Sequence, residues 1–455
     1  MDLFGTAGIR GDARERVTPE LALAVGRAIG RDAEELVVGR DGRETGPSLA
    51  AAVEAGVTSA GATVLRVGQV PTPTLAFASR GRHGLQVTAS HNPPTDNGLK
   101  LFVDGEEYDG AGEARIERRV ADEAPPVAWD EWGDSRAVDP LSDYRRAVVA
   151  YARERGAALD GVTVVLDCGN GMAALAAPQV LRDLGARVVA LNATVDGHFP
   201  GRPSKPTPET VTDLRRFVAD CEGPVLGLAH DGDADRIVVV DRSGEVVHED
   251  TVLAVLAEHY VRESDAADPV VVTTPNASGR IDERVAAAGG RTERVKLGSL
   301  HEGIAAVRTA GGDVVFAGEP WKHIHTAFGP WIDGVASAAV LAVLVGAAAG
   351  PDGTGGLAAL RDPVTERPYR KVSVRCPDEA KAGAMALLTD RLPAAFPEAT
   401  VETEYGVRLD FGGAWTLVRP SGTEPYVRVY AESETVDELV ATVVDEVEAA
   451  VSDAE

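Results

Sequence analysis

Residues 87–100 read VTASHNPPTDNGLK: an apolar strand end, a loop stiffened by two prolines, and a return into a second strand at Gly98–Val103. The loop sets Ser90, His91 and Asn92 at the end of a strand, where a serine can serve as a nucleophile. The same residues suit a tight turn whose Ser and Asn side chains cap backbone groups, and local chemistry leaves both readings open. The chain has no G-x-S-x-G elbow, which argues against an α/β-hydrolase nucleophile.

Outward from this stretch, short β-branched runs (Glu35–Gly39, Leu85–Thr88, Val162–Leu166, Val225–Ala229, Val270–Thr273, Val314–Ala317) alternate with helical stretches such as Leu21–Gly30, Thr210–Ala219 and Ile281–Ala288. Runs of this length bounded by Gly and Pro predict buried strands, and the alternation predicts α/β layers. The pattern restarts after a polar stretch at Asp122–Asp143 and again near Glu245–Asp250. A Gly- and Pro-rich break at Gly350–Pro368 then changes the order to strand, helix, several strands and a last acidic helix. The expected architecture is α/β: three similar domains (1–143, 144–248, 249–362) followed by a C-terminal α+β domain (363–455). Val335–Gly350, mostly Ala and Val, is shorter than the ~20 residues of a membrane span and predicts a buried helix.

The 455 residues are 44% hydrophobic and 25% charged, ordinary values for a folded chain. Acidic residues number 71 against 45 basic ones, a formal net charge of -26, and only six of the basic residues are lysine. No basic face offsets this field, so neither nucleic acid nor an anionic membrane is an expected partner. The bias fits a halophilic surface, hydrated by carboxylates and thinned of lysine. Three scattered cysteines form no disulfide framework, and the first residues lack the basic and apolar regions of a signal peptide. A cytoplasmic location is expected.

Three further segments carry chemistry. HDGDADR (His230–Arg236) follows a strand and repeats Asp at every second position, so an extended loop would aim Asp231, Asp233 and Asp235 to one side. Clustered carboxylates suit a hard divalent cation, Mg²⁺ before Ca²⁺ where phosphate supplies further oxygens. An EF-hand is excluded, because the sixth and twelfth positions are Arg236 and Arg242. LVRPSGTEPYVRVY (Leu417–Tyr430) places Arg419, Ser421, Gly422 and Thr423 in a short loop able to wrap a phosphate, with Arg428 near enough to join. FAGEPWKHIH (Phe316–His325) crowds Glu319, Trp321, Lys322 and His323 into a loop with hydrogen-bonding and stacking groups suited to a sugar ring. Lys100, Lys205, Lys296 and Lys322 all fall in or beside loops that follow strands, a concentration that favours function in a chain so poor in lysine. No Walker A or Rossmann loop is present, so nucleotide chemistry is not indicated.

Together these segments resemble the α-D-phosphohexomutase family. The matching stretches are FGTAGIRG (Phe4–Gly11), GRDGR (Gly39–Arg43), TASHNP (Thr88–Pro93), DGHFPGRPSKPTPE (Asp196–Glu209), DGDADR (Asp231–Arg236), GEPWKHIH (Gly318–His325) and RPSGTEP (Arg419–Pro425), in the family's order along nearly the whole chain. The resemblance implies four domains around one central cleft, with Ser90 as a phosphoserine. It implies Mg²⁺ held by Asp231, Asp233, Asp235 and a phosphoryl oxygen on Ser90. Arg10 and Lys100 become general acid/base candidates beside Ser90, with His91 in the same catalytic group and Arg236 and Arg43 as supporting cations. Arg419, Ser421, Gly422, Thr423 and Arg428 would grip the non-reacting phosphate. Glu319, Trp321, Lys322, His323 and Lys296 would face the substrate.

The implied activity is interconversion of hexose 1- and 6-phosphates, glucose or mannose phosphates first, through a bound 1,6-bisphosphosugar, with glucose 1,6-bisphosphate or its equivalent as activator. Phosphoglucosamine mutase is the alternative. One departure bears on substrate: where much of the family has Gly-Glu-x-Ser-Gly-His, this chain has Trp321 and Lys322 in place of Ser and Gly. A phosphatase and a non-catalytic sugar-phosphate sensor are the rivals of other classes. The first predicts phosphate release, and the second has no need of Ser90 with three aspartates and Lys100.

Overall fold

The computed structural model describes residues 3–5, 8–350, 355–422 and 424–455. Its first three units repeat one sheet plan. In each, four consecutive strands lie in the spatial order 2-1-3-4, the first three parallel and the fourth antiparallel. In the first unit these are Glu35–Arg40, Thr63–Gln69, His83–Val87 and Asp96–Val103, extended by Ile9–Asp12 at one edge and Ser135–Ala137 at the other. The second uses Thr163–Asp167, Arg187–Leu191, Val225–Ala229 and Val238–Val240. The third uses Pro269–Thr273, Arg291–Arg294, Asp313–Glu319 and Lys322–Ile324. Similar length was the sequence's only hint of this repetition.

The plan places function. In each unit one connection joins the third strand to the antiparallel fourth, at the carboxyl end of the parallel strands where α/β sheets bind ligands. Those connections are residues 88–95, 230–237 and 320–321. The fourth unit is a five-stranded antiparallel sheet in the order Tyr369–Arg375, Tyr426–Glu432, Trp415–Pro420, Val407–Asp410, Thr400–Glu402. Helices Lys381–Ala395 and Val436–Ala454 pack on it around Leu388, Leu392, Val443 and Val447. Its segment between Pro420 and Tyr426 carries the expected phosphate loop.

Apolar burial holds the frame. Helix Gly334–Ala348 buries every residue from Gly334 to Val345, because it is apolar on all sides and lies between units. It belongs to one continuous core with Tyr144, Val148, Leu226, Leu253 and Phe316, so the second and third units share a core. Asp333 caps this helix through Ala336 N–H at 2.8 Å and also accepts from Tyr144 Oη and Trp331 Nε1. In the first unit, helices Pro19–Gly30 and Gly46–Ser59 touch backbone to backbone, since a Cβ on Gly56 would stand 2.2 Å from Leu23 O. Among the described residues no helix is long and apolar enough to cross a membrane.

Two buried histidines make stability depend on pH. His323 and His325 both bond Ser337 Oγ, and His325 also bonds Tyr260 Oη. Burial pushes His323 down to about 3 and, with a smaller push from His323, pushes His325 well below its ordinary value. The unfolded chain takes up protons here below about pH 6.5 while the folded chain does not, so stability present above that pH is lost on acidification. Melting temperatures should fall from about pH 7 to about pH 4, and pairing His323→Asn with His325→Asn should flatten the fall. An unchanged slope in the double variant would assign the loss to carboxylates.

Candidate active site

Ser90 sits at the tip of its loop in the left-handed region, φ 50°, and is fully buried. A β-carbon in that region is strained, and such strain persists only where surrounding bonds fix it. Here they do. Ser90 N–H donates to Thr88 Oγ1 at 2.9 Å, and Thr88 donates to Asp41 Oδ2 at 2.7 Å. Asp41 pairs with Arg43, whose guanidinium donates to the carbonyls of Ser90, Asn92, Pro93 and Asp96. Arg43 is therefore a positioning residue: it laces the loop from behind, at 0% exposure.

Ser90 Oγ donates to Asp231 Oδ2 at 2.7 Å, across from the first unit to the second. Gly232 makes this approach possible, because a Cβ there would stand 2.5 Å from Ser90 O. The aspartate loop is not extended as the alternation suggested. It turns through Ala234 at φ 65°, and the turn still gathers Asp231, Asp233 and Asp235 so that one oxygen of each lies within 4.8 Å of the others. Thr72 donates to Asp233 Oδ2 at 2.7 Å. Asp233 Oδ1 and Asp235 Oδ1 are buried without a partner. Burial, then Asp235 and Asp233, push Asp231 up to about 8. Three buried carboxylates with free oxygens form a donor set that fits a hard divalent cation.

Cations ring the triad. Lys100, 1% exposed within strand Asp96–Val103, places Nζ 2.8 Å from Asp235, 3.5 Å from Asp233 and 3.9 Å from Glu107. Burial opposes its charge, but Asp235 and Asp233 outweigh burial and raise its pKa, so Lys100 remains an ammonium. It is placed to supply charge or a proton, not to accept one. Arg236 Nε lies 3.8 Å from both Asp231 and Asp235. Arg10 buries Nε and Nη2 without partners, and Arg236 Nε is likewise unpartnered. Orphaned guanidinium donors beside a buried serine suit phosphoryl oxygens. His91 Nδ1 lies 3.3 Å from Ser90 Oγ, and burial with Arg236 and Arg10 pushes it down to about 2. His91 is thus a neutral neighbour of Ser90 and carries no proton to donate as an acid at neutral pH.

The remaining expected residues divide. Arg419 and Ser421 lie in the fourth unit's loop with Arg419 Nε and Ser421 Oγ buried and unpartnered, and Gly422 faces open space. Arg428 pairs with Glu424, while Thr423 lies outside the described residues. Lys381 holds the loop from beneath by donating to the carbonyls of Ser421 and Glu424. Lys296 lines a cavity of about 590 Å³ between the first and third units, together with Gly8, Glu107 and His301. In the third unit's hairpin, Glu319 lies opposite Lys322 at 3.5 Å, whereas His323 pairs with Gly318 and faces the other way. His323 is 1% exposed, bonded to Ser337 and packed on Phe316, so its expected place on the sugar is corrected to the core. Trp321 packs its ring against the second unit's sheet residues.

Comparison with known proteins bears on the family and the fold. Phosphoglucomutase/phosphomannomutase alpha/beta/alpha domain I matches residues 1–126, alpha/beta/alpha domain II residues 142–244, and the C-terminal domain residues 372–450. The chain is 40% identical over 444 residues to a Thermococcus kodakarensis protein named "Phosphopentomutase", covering 96% of this chain and 94% of that one. It is also 40% identical over 441 residues to a Methanopyrus kandleri protein named "Probable phosphoglucosamine mutase", covering 95% and 94%. A Burkholderia thailandensis phosphoglucomutase/phosphomannomutase family protein of known structure superposes with a TM-score of 0.85 at 26% identity, covering 99% of this chain and 97% of that one. The chain belongs to the α-D-phosphohexomutase family. By class it is a phosphomutase, an isomerase that transfers phosphate within a sugar.

The lacing of the Ser90 loop predicts a specific loss. Arg43→Met strands Asp41 in the core and frees four carbonyls, and should cost about 3–5 kcal/mol of stability. Urea unfolding of the variant checks this, and a loss below about 1 kcal/mol would remove Arg43 from the loop's support.

Proposed function

We propose that this chain interconverts the 1-phosphate and the terminal phosphate of a neutral aldose, glucose or mannose phosphate first, through phosphoserine at Ser90. The observation that carries this reading is the buried bond from Ser90 Oγ to Asp231, surrounded by the unpartnered donors of Arg10 and Arg236 and by the Lys100 ammonium. A sugar hydroxyl attacks the phosphorus of phosphoserine, the bond from Ser90 Oγ to phosphorus breaks, the hydroxyl's proton ends on Ser90 Oγ, and a bisphosphosugar results. The other phosphate of that intermediate then returns to Ser90, so no phosphate is gained or lost. Glucose 1,6-bisphosphate or an equivalent would charge Ser90 initially.

Asp231, Asp233 and Asp235 would hold one Mg²⁺, which when bound offsets charge on the phosphoryl oxygens. Lys100 pairs with Asp233 and Asp235, and Arg10 and Arg236 offer donors to the transferring group, where charge spreads over several oxygens. Arg419 and Ser421, with Gly422, Thr423 and Arg428, would bind the phosphate that is not reacting.

Glu319 and Lys322 favour a ring bearing hydroxyls, because the ammonium beside Glu319 disfavours a cationic amine on the sugar. The names of the relatives supply the second readings, glucosamine phosphate and a pentose phosphate. A cytoplasmic sugar-phosphate pool is the proposed setting.

The test offers glucose, mannose, glucosamine and ribose 1-phosphates with Mg²⁺ and a trace of glucose 1,6-bisphosphate in high KCl. Terminal phosphate should form without free phosphate, and Ser90→Ala should lower turnover by more than about 10³. Stoichiometric phosphate release would make the chain a phosphatase, and binding without turnover would make it a sensor.

A further inference from the structure

Helices cover one face of the fourth unit's sheet, around Val418, Val427 and Val429. Strand alternation sends Leu417 and Arg419, with Arg428 and Tyr430 on the neighbouring strand, to the other face. There Tyr430 stands opposite Leu417 and packs with Leu417 and Trp415 in a small apolar cluster, 2% exposed. A phenol buried this deeply needs a partner for its oxygen. Its partner is a guanidinium. Arg419, on the diagonal across the two strands, donates from Nη2 to Tyr430 Oη at 3.3 Å, and its Cζ lies 5.6 Å from the ring centroid.

The two arginines of this face are held differently. Arg428, opposite Arg419 in the register, pairs with Glu424 and so spends its charge on a carboxylate. Among the described residues Arg419 enters no ion pair, and its Nε is buried without a partner. A phenol oxygen accepts an N–H and cancels no charge. Tyr430 therefore fixes the guanidinium while leaving its whole charge for an anion. Ser421 Oγ, two residues further on, is likewise buried and unpartnered. Lys371, opposite Tyr430 on the edge strand, adds an ammonium 5.7 Å from the same ring. Burial pushes the phenol up, but Arg419, Arg428 and Lys371 together hold it below its ordinary value.

We propose that Tyr430 is a positioning residue for the phosphate that is not reacting: it holds Arg419 so that the guanidinium and Ser421 Oγ meet the phosphoryl oxygens together. This rests on the mutase reading and on the loop between Pro420 and Tyr426 as the seat of that phosphate. An arginine oriented beforehand loses less rotamer freedom when the anion arrives, so the phenol raises affinity without touching the ligand. A phosphate that takes no part in bond making is held alike before and in the transition state, and its contacts set KM more than kcat.

Tyr430→Phe, Arg419→Met and the double variant test this in the full chain with Mg²⁺. Turnover is measured on whichever of glucose, mannose, glucosamine and ribose 1-phosphates the wild type uses, and the same sugar phosphate is titrated calorimetrically into Ser90→Ala chains with and without Tyr430→Phe. Tyr430→Phe removes one oxygen and keeps the ring in its cluster, so its melting curve should match the wild type. It should raise KM and the dissociation constant by about 5- to 20-fold with kcat within about threefold. Because the phenol acts through Arg419, Tyr430→Phe should add less than about twofold to the KM of Arg419→Met. An unchanged KM in Tyr430→Phe, a fall in kcat at constant KM, or the full effect persisting on the Arg419→Met background would each overturn the proposal. An Arg419→Met variant that binds as tightly as the wild type overturns the phosphate-loop reading, and a wild type that turns over none of the four sugars overturns the mutase reading; this inference falls with either.

Discussion

The ion pair between Lys100 and Asp235, 2.8 Å long and buried at both ends, is the constraint on which the centre depends. It joins the antiparallel strand Asp96–Val103 of the first unit to the aspartate loop of the second. Buried charges are tolerated only in balanced groups, because each one left unpaired costs several kcal/mol of desolvation. Asp231, Asp233 and Asp235 could not be gathered in the interior without Lys100 and the nearby Arg236. Their remaining free oxygens, and the unpartnered donors of Arg10, describe a site balanced for a cation and a phosphoryl group together.

The repeated sheet plan explains how such a centre is assembled from distant segments. Three units with one strand order present the same connection at the same place, and each connection holds one non-glycine residue in the left-handed region: Ser90, Ala234 and Trp321. A left-handed residue turns the backbone sharply, so each loop reverses within a few residues and presents its tip. The shared core along helix Gly334–Ala348 fixes the second and third units together, and the bond from Ile237 to Trp321 ties their tips. The fourth unit, of different architecture, brings the loop between Pro420 and Tyr426 with the unpartnered Arg419 Nε and Ser421 Oγ.

Much of this was legible in the sequence, and the physical reasons for the exceptions are specific. Ser90 and the three aspartates lie in contiguous motifs, and the structure brings those motifs together. Buried strands and the Ala/Val helix are written in local apolar runs. Thr72 and Glu107 carry no local signal, because each matters only through a partner far along the chain, Asp233 and Lys100 respectively. Arg43 was visible as a cation, but its laced carbonyls are a property of the folded loop. His323 was misplaced for a simpler reason: strand alternation sends it to the opposite face from Lys322, and a short loop motif does not reveal where the strand resumes.

The central claim is that Asp231, Asp233 and Asp235 form a charge-balanced seat for a divalent cation beside Ser90. Anomalous diffraction from crystals grown with Mn²⁺ tests it most directly. The account predicts a single strong peak bounded by the three carboxylates, next to Ser90 Oγ, and its loss in Asp233→Asn. Crystals that show no manganese there, or manganese bound elsewhere while Lys100 alone neutralises the triad, would contradict it.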